Sequence, residues 1–362
     1  MIWLTLFQIG ACMETFEYPR IRAVALSVVI ALCTLGIGIH LVGAESISQA
    51  ISSVSTTLLG MIILISLGWL AAWSLSFRSI LETLDVQDLG LKTGLVFLMT
   101  MFADYLTPSA QAGSVPIGGL LVSRATGVGY TTGMTAVATF GILNIVPSMV
   151  MIAASATYLA LTTTLDPELK FAVLLLLSLM TGLGLVGLIG WRYRYRLGTV
   201  VIPLLAAFIR QVNRLLPTSY SIDPRLIDRY TGNITKKIER IGWNRQQLID
   251  SLCFSALGWL ILSAVFWASL YSVGNSVPVA VPLLVVPLSM TGNVLPLPGG
   301  VGGVEALLVA LTIGTASISI PSATAAVLIY RVMTFGLALL LGGLATALLE
   351  FHIRNPSLED SL

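Results

Sequence analysis

Charge-free apolar runs divided by short polar links dominate this chain. Runs of about 18 residues or more are long enough to cross a bilayer as helices. Six full spans are predicted, over residues 21–42, 55–76, 131–161, 171–191, 251–273 and 322–351. Residues 77–92 are polar and mixed, the pattern of an interfacial amphipathic segment. Two regions break the pattern. Residues 93–106 are apolar apart from Asp104 and reach only about 21 Å as a helix, short of a hydrocarbon core of about 30 Å. A broken stretch, 107–116, and a second short apolar piece, 117–126, follow. In the second half, residues 278–295 carry Pro282 and Pro287 and run into T-G-N-V-L-P-L-P-G-G-V-G-G-V-E, residues 291–305, before a short apolar helix over 304–315.

Proline removes a backbone donor and glycine weakens a helix. Broken backbone persists at membrane depth only where protein buries it or water lines it, so each break predicts a packed breakpoint or a cavity. Taken as re-entrant hairpins, the two regions give each half the order span, broken hairpin, span. The hairpins then open on opposite faces, an inverted-topology repeat whose matching interruptions mark a transport site. The predicted fold class is therefore an all-α, polytopic membrane helical bundle with an inverted repeat and two re-entrant broken-helix hairpins. Residues 278–295, about 27 Å long as a straight helix, leave open whether that segment crosses instead.

The 362-residue chain is 56% hydrophobic and 10% charged, where soluble domains carry about a quarter charged residues. Its net charge of +2 matters less than the placement of the charges. Arg20, Arg22, Arg78, Lys92, Arg354 and the 11 basic residues of 192–250 fall on one side, Lys170 falls alone on the other, and Arg124 and Arg331 lie within the membrane. Basic residues mark the cytoplasmic side. Both termini are thus expected in the cytoplasm of a multi-pass cell-membrane protein. The expected organisation is one domain over 1–362: an N-terminal segment 1–20, a first helical half 21–191, a basic cytoplasmic loop 192–250, a second half 251–351 and a tail 352–362. Residues 1–12 show no positive leader and no cleavage site, so no signal peptide is expected. Cys12, Cys33 and Cys253 have no paired spacing, and the only histidines are His40 and His352; neither metal nor cofactor is expected. No Walker A loop, G-x-S-x-G or H-E-x-x-H occurs, so no catalytic residue is assigned, and neither an enzyme activity nor a nucleic-acid partner is expected.

Arg331 falls about 14 Å into the last span, where a charge costs about 2.5–3.5 kcal/mol on insertion scales. Glu305 is the best compensating group. Either Arg331 receives a lipid phosphate while Glu305 contacts a cationic group or releases the arginine, or the two form a permanent ion pair fixing the hairpin against the span. Glu305 also stands where a first-turn carboxylate complements the helix dipole. Arg124 and Asp104 flank the first break. They pair across it, or Arg124 binds phosphate from the other leaflet; Asp104 alone only ends a half-helix. Asn144 and Asn293 suit interhelical hydrogen bonding, with Asn293 also a candidate substrate contact. Pro298, Gly299, Gly300 and Gly303 mark the second break, where glycine permits either close approach of a head group or tight packing. The run Arg192 to Arg196, alternating with Tyr193 and Tyr195, reads as a positive-inside anchor or an anionic-lipid contact. Asn233-Ile234-Thr235 matches a glycosylation acceptor on the expected cytoplasmic side.

The sequence P-x-P-G-G-x-G-x-x-E ending at Glu305, followed by a short apolar helix and Arg331 inside the last span, resembles the lysylphosphatidylglycerol synthase transmembrane-region family, also called flippase-like domain proteins. The stretch from Pro108 to Arg124, with its L-L-x-S-R ending, is similar to that family's first-half motif. The resemblance covers residues 21–354 and implies a polytopic fold with paired re-entrant segments. It also implies a role in moving phospholipids or lipid-linked head groups between leaflets. Family members often carry more polar residues around the first break, where this chain has Ser114, Val115 and Pro116. Nothing after Phe351 corresponds to the aminoacyl-transfer domain of the synthase members, so this chain is not expected to make lysyl-lipid.

The expected partners are membrane lipids bearing an anionic phospholipid or polyisoprenyl-phosphate head group, with a homodimer or a synthase as a further partner. Two other classes remain open: an ion-coupled small-solute transporter using Asp104 and Glu305, and a non-transporting membrane partner of a lipid synthase or glycosyltransferase.

Overall fold

The computed structural model describes residues 54–86, 90, 92–107, 110–162, 245–294 and 297–354. The predicted spans 21–42 and 171–191, the segment 1–20, nearly all of the basic loop and the tail beyond Arg354 lie outside the described residues. Every regular element among the described residues is helical. Helix α1 (Thr56–Thr83) starts at Ser55, whose hydroxyl accepts from the Leu58 N–H at 3.3 Å and so satisfies one of the free donors of the first turn. Two shorter helices follow, α2 (Lys92–Leu106) and α3 (Ala110–Thr126), then the long α4 (Tyr130–Thr162). The second half opens with α5 (Arg245–Ser272) and the short α6 (Ala280–Ser289). Two 3-10 turns, Met290–Val294 and Pro298–Gly300, lead into α7 (Gly303–Ala316). Helix α8 (Ile320–Arg331) continues through a π-helical turn (Val332–Gly336) into α9 (Leu337–Arg354).

Helices α1, α4, α5 and the continuous stretch Ile320–Leu349 are long and apolar enough to cross a membrane. The 28 residues of α1 extend about 42 Å. These helices make four candidate membrane spans among the described residues. Two sequence expectations change, and one question left open is narrowed. Residues 77–83 are not a separate interfacial segment, because Phe77, Ile80 and Leu81 recur at helical spacing and α1 runs on to bury them. Most of the expected break at 107–116 is helix: α3 begins at Ala110 and contains Pro116, which forfeits one backbone hydrogen bond without ending it. Residues 278–295 are not one straight helix, since α6 stops at Ser289, two residues past Pro287, and a 3-10 turn takes over.

The two halves meet along α1 and α5. Trp73 fills the notch left by Gly258, where a Cβ would fall 2.0 Å from its Cδ1, and its Nε1 donates to the Ser255 carbonyl at 3.3 Å. The Ser76 hydroxyl donates to the Ser251 carbonyl at 2.9 Å. Trp69, Trp73, Trp259, Phe77, Phe97 and Phe140 continue this seam as edge-to-face and tilted ring contacts, a geometry favoured by the ring quadrupoles. Elsewhere the halves exchange partners: α2 packs on α9 and α6 on α4. Helices α3 and α4 approach through Gly119 and Gly133, and a Cβ on Gly133 would lie 2.2 Å from the Gly119 carbonyl oxygen. Backbone cannot yield as a side chain does. Gly133→Leu is therefore expected to cost about 3 kcal/mol or more, seen as a lower unfolding midpoint in detergent. Gly60→Leu, in open space on α1, is expected to leave the midpoint unchanged.

Candidate functional site

The second break builds its site from backbone shape. Gly299 adopts φ 58°, the left-handed region that glycine enters without a Cβ clash. The space left by its missing Cβ is taken by Phe335, whose Cε2 would lie 2.2 Å from that atom. The Gly299 carbonyl turns to accept from Arg331 Nη2 at 3.0 Å, and Arg331 Nε donates to Glu305 Oε1 at 2.6 Å. The guanidinium also stands over the Phe335 ring, 4.6 Å from its centre, a cation–π contact. The other carboxylate oxygen of Glu305 accepts from the Gly302 N–H at 2.6 Å, capping the first turn of α7 as an N3 acid does. Glu305 thus neutralises the arginine and caps its own helix at once. The pair is well sheltered, since Arg331 is only 9% exposed. Burial of this kind is tolerated when hydrogen bonds saturate the charges.

The first break is closed more simply. Asp104, near the end of α2, accepts from the buried Ser114 hydroxyl on α3 at 2.6 Å. Its neighbour Tyr105 packs on Phe335 with ring centres 4.8 Å apart, which brings the first hairpin against the Arg331 site. Between the halves lies a cavity of about 550 Å³. Asp104 and Ser114 line it from the first half, Asn293 and Gly299 from the second break, Arg331 and Thr334 from the last span, and Trp69, Trp73 and Trp259 from the α1–α5 seam. Asn144 joins them from α4; its side-chain oxygen accepts from the Ser255 hydroxyl and its carbonyl from Trp259 Nε1 at 2.9 Å.

Of the residues singled out in the sequence, Asp104, Asn293, Gly299 and Arg331 therefore share one cavity, with Glu305 bound to Arg331. Gly300 makes room for Asn293, whose Oδ1 would lie 1.9 Å from a Cβ there. Gly303 packs against Gly292 at the head of α7, and Pro298 opens the second 3-10 turn. Arg124 is placed elsewhere. It is exposed near the end of α3 and does not pair with Asp104. In a hairpin the end of the second arm lies beside the start of the first, and Arg124 is about 21 Å along α3 from Ala110. Ser114 was noted at the first break without a role, and Tyr105, Phe335 and the three tryptophans escaped the sequence reading. The spacing of Arg331 and Phe335, one helical turn apart, was the only available signal for the stack.

With these contacts in place, the glycine- and proline-rich motif reads as a device that aims one carbonyl and one carboxylate at a membrane arginine. Residues 22–342 match the family described as lysylphosphatidylglycerol synthase TM region. The chain belongs to that family. No curated protein matches it. In this member, Gly299 supplies the turned carbonyl, Gly302 the N–H for the cap, and Glu305 the counter-charge.

Proposed function

We propose that this protein moves a phosphate-bearing lipid head group, phospholipid or polyisoprenyl-phosphate, between the leaflets of the cell membrane, with both termini in the cytoplasm. The observation that carries this reading is the cavity shared by both halves, with the guanidinium of Arg331 on its wall. Arginine donates in a planar fork that suits phosphate oxygens. Here Nε and Nη2 are engaged, which holds the fork in place for a further oxygen. The element order repeats as long helix, two short helices, long helix, and the halves exchange partners, α2 with α9 and α6 with α4. That pattern supports an inverted repeat with two re-entrant hairpins around a midplane site. The head group would cross in the polar cavity while its tails stay in lipid.

The test is leaflet exposure of a fluorescent anionic phospholipid in reconstituted vesicles, followed by a polyisoprenyl-phosphate lipid. Wild-type protein is expected to speed exchange over empty vesicles. Arg331→Gln is expected to slow it by at least about tenfold, the loss of one charge-assisted contact, and Arg331→Lys to fall between. Exchange no faster than in empty vesicles with both lipids would reject the reading.

A further inference from the structure

The charge balance of the cavity points to what must accompany an anionic head group. Among the described residues, two charged side chains line it, Asp104 and Arg331. The positive charge of Arg331 is already balanced by Glu305 at 2.6 Å. Asp104 has a neutral partner, the Ser114 hydroxyl, and no cationic group within ion-pair range among the described residues. With Asp104 ionised, the site carries one excess negative charge before any ligand arrives. A phosphate diester would add a second in surroundings of low dielectric, and like charges sharing such a site drive one of them to take up a proton. Resting on the head-group reading above, we infer that binding of an anionic head group in this cavity is coupled to uptake of one proton by Asp104.

The exchange is simple. Asp104 takes a proton from solvent on one carboxylate oxygen while the other keeps the Ser114 hydrogen bond. A carboxylate that only accepts becomes an acid that also donates. The excess charge disappears as the phosphate arrives, and both leave together on release.

Among the described residues, no other group nearby accounts for a proton in this range. Tyr105 on α2 and Tyr330 on α8 are phenols that stay neutral between about pH 5 and about pH 8. Glu305 on α7 has both oxygens engaged. The 3-10 turn against α2, Pro298–Gly300, carries no charge. Helix α9 runs antiparallel to α2, with Tyr105 on Phe335 and Leu98 against Gly342. Its final turn, residues 350–354, therefore runs toward the Lys92 end of α2. Arg124 on α3 and the Arg78–Glu82 pair on α1 lie toward that same end.

The experiment measures leaflet exchange of fluorescent phosphatidylglycerol, whose phosphodiester does not itself titrate in this range, from about pH 8 to about pH 5. The wild type is expected to speed up toward acid by up to about tenfold per pH unit while Asp104 is ionised. Asp104→Asn, a neutral isostere that still accepts from Ser114, is expected to run at the acid-limit rate at every pH. A flat wild-type profile that Arg331→Gln still silences would overturn the proton coupling and leave head-group translocation standing. No wild-type exchange at any pH, of phosphatidylglycerol or of a polyisoprenyl-phosphate lipid, would overturn both. A second reading uses detergent-solubilised protein in weak buffer near pH 7: adding dioctanoyl-phosphatidylglycerol is expected to draw about one proton per bound lipid into the wild type and none into Asp104→Asn. If Asp104→Asn does not fold, the wild-type proton count decides, and binding without uptake overturns the inference.

Discussion

Glu305→Ala is expected to destabilise the folded protein by about 3–5 kcal/mol, the range for removing one partner of a buried ion pair. The loss has two parts. Arg331, 9% exposed, keeps its charge with only the Gly299 carbonyl and the Phe335 face to stabilise it. The Gly302 N–H loses its acceptor as well, and a lost cap costs about 1 kcal/mol. Denaturant unfolding in mixed micelles measures the total. The decisive comparison is Glu305→Ala combined with Arg331→Met. If the penalty comes from a stranded charge, the double variant recovers most of the stability. A double variant as weak as the single one would mean that Glu305 acts mainly by capping α7. Glu305→Gln separates the two from the other side, because it keeps an acceptor for Gly302 while discarding the counter-charge.

Gly299→Ala is the second severe change. A residue with a Cβ at φ 58° costs about 1–2 kcal/mol in backbone strain. The new methyl also meets Phe335 at 2.2 Å, and overpacking adds about 1–3 kcal/mol. Displacing Phe335 disturbs the guanidinium stacked on it and the Tyr105 ring beyond. Lipid exchange in vesicles is therefore expected to fall by at least about tenfold even for the fraction that folds, since about 1.4 kcal/mol lost from one site corresponds to tenfold. Gly299→Ala with Phe335→Leu relieves the overlap but not the strain, so it is expected to recover stability in part and to lack the cation–π contact. Full recovery of both would show that the left-handed turn matters less than the space beside it.

How much of this could be read from the chain differs between the two breaks. At the second, proline and glycine are dense enough that no helix survives, so both the interruption and the Glu305–Arg331 pairing were legible before any coordinates. Two charges in apolar surroundings leave few alternatives to finding each other. At the first break the signal misled. Pro108, Pro116 and Gly113 suggest ten broken residues, yet α3 begins at Ala110, because one proline removes one hydrogen bond and apolar packing against α4 holds the rest. The partner of Asp104 was illegible for a related reason: serine is too common for one hydroxyl to announce itself across a hairpin. The seam of Trp69, Trp73 and Trp259 was equally hidden. Aromatic residues in an apolar run carry no mark of which face they occupy until Gly258 is seen to receive Trp73.

The wide turn at Val332–Gly336 has a further consequence. An α-helix advances about 100° per residue, and a π turn inserts one residue's worth of that rotation. Upstream, the last span must present Arg331 to the cavity. Downstream, Gly342 must lie against the Leu98 carbonyl, where a Cβ would sit at 2.4 Å. In an unbroken helix these two residues, 11 apart, would face within about 20° of each other, and the extra residue turns one face away from the other by about 100°. Narrowing that turn would rotate the guanidinium by about 100° relative to the face gripped by α2. The last span is thus built as a crank, joining grip in one half of the molecule to the bearing of a single charge in the other.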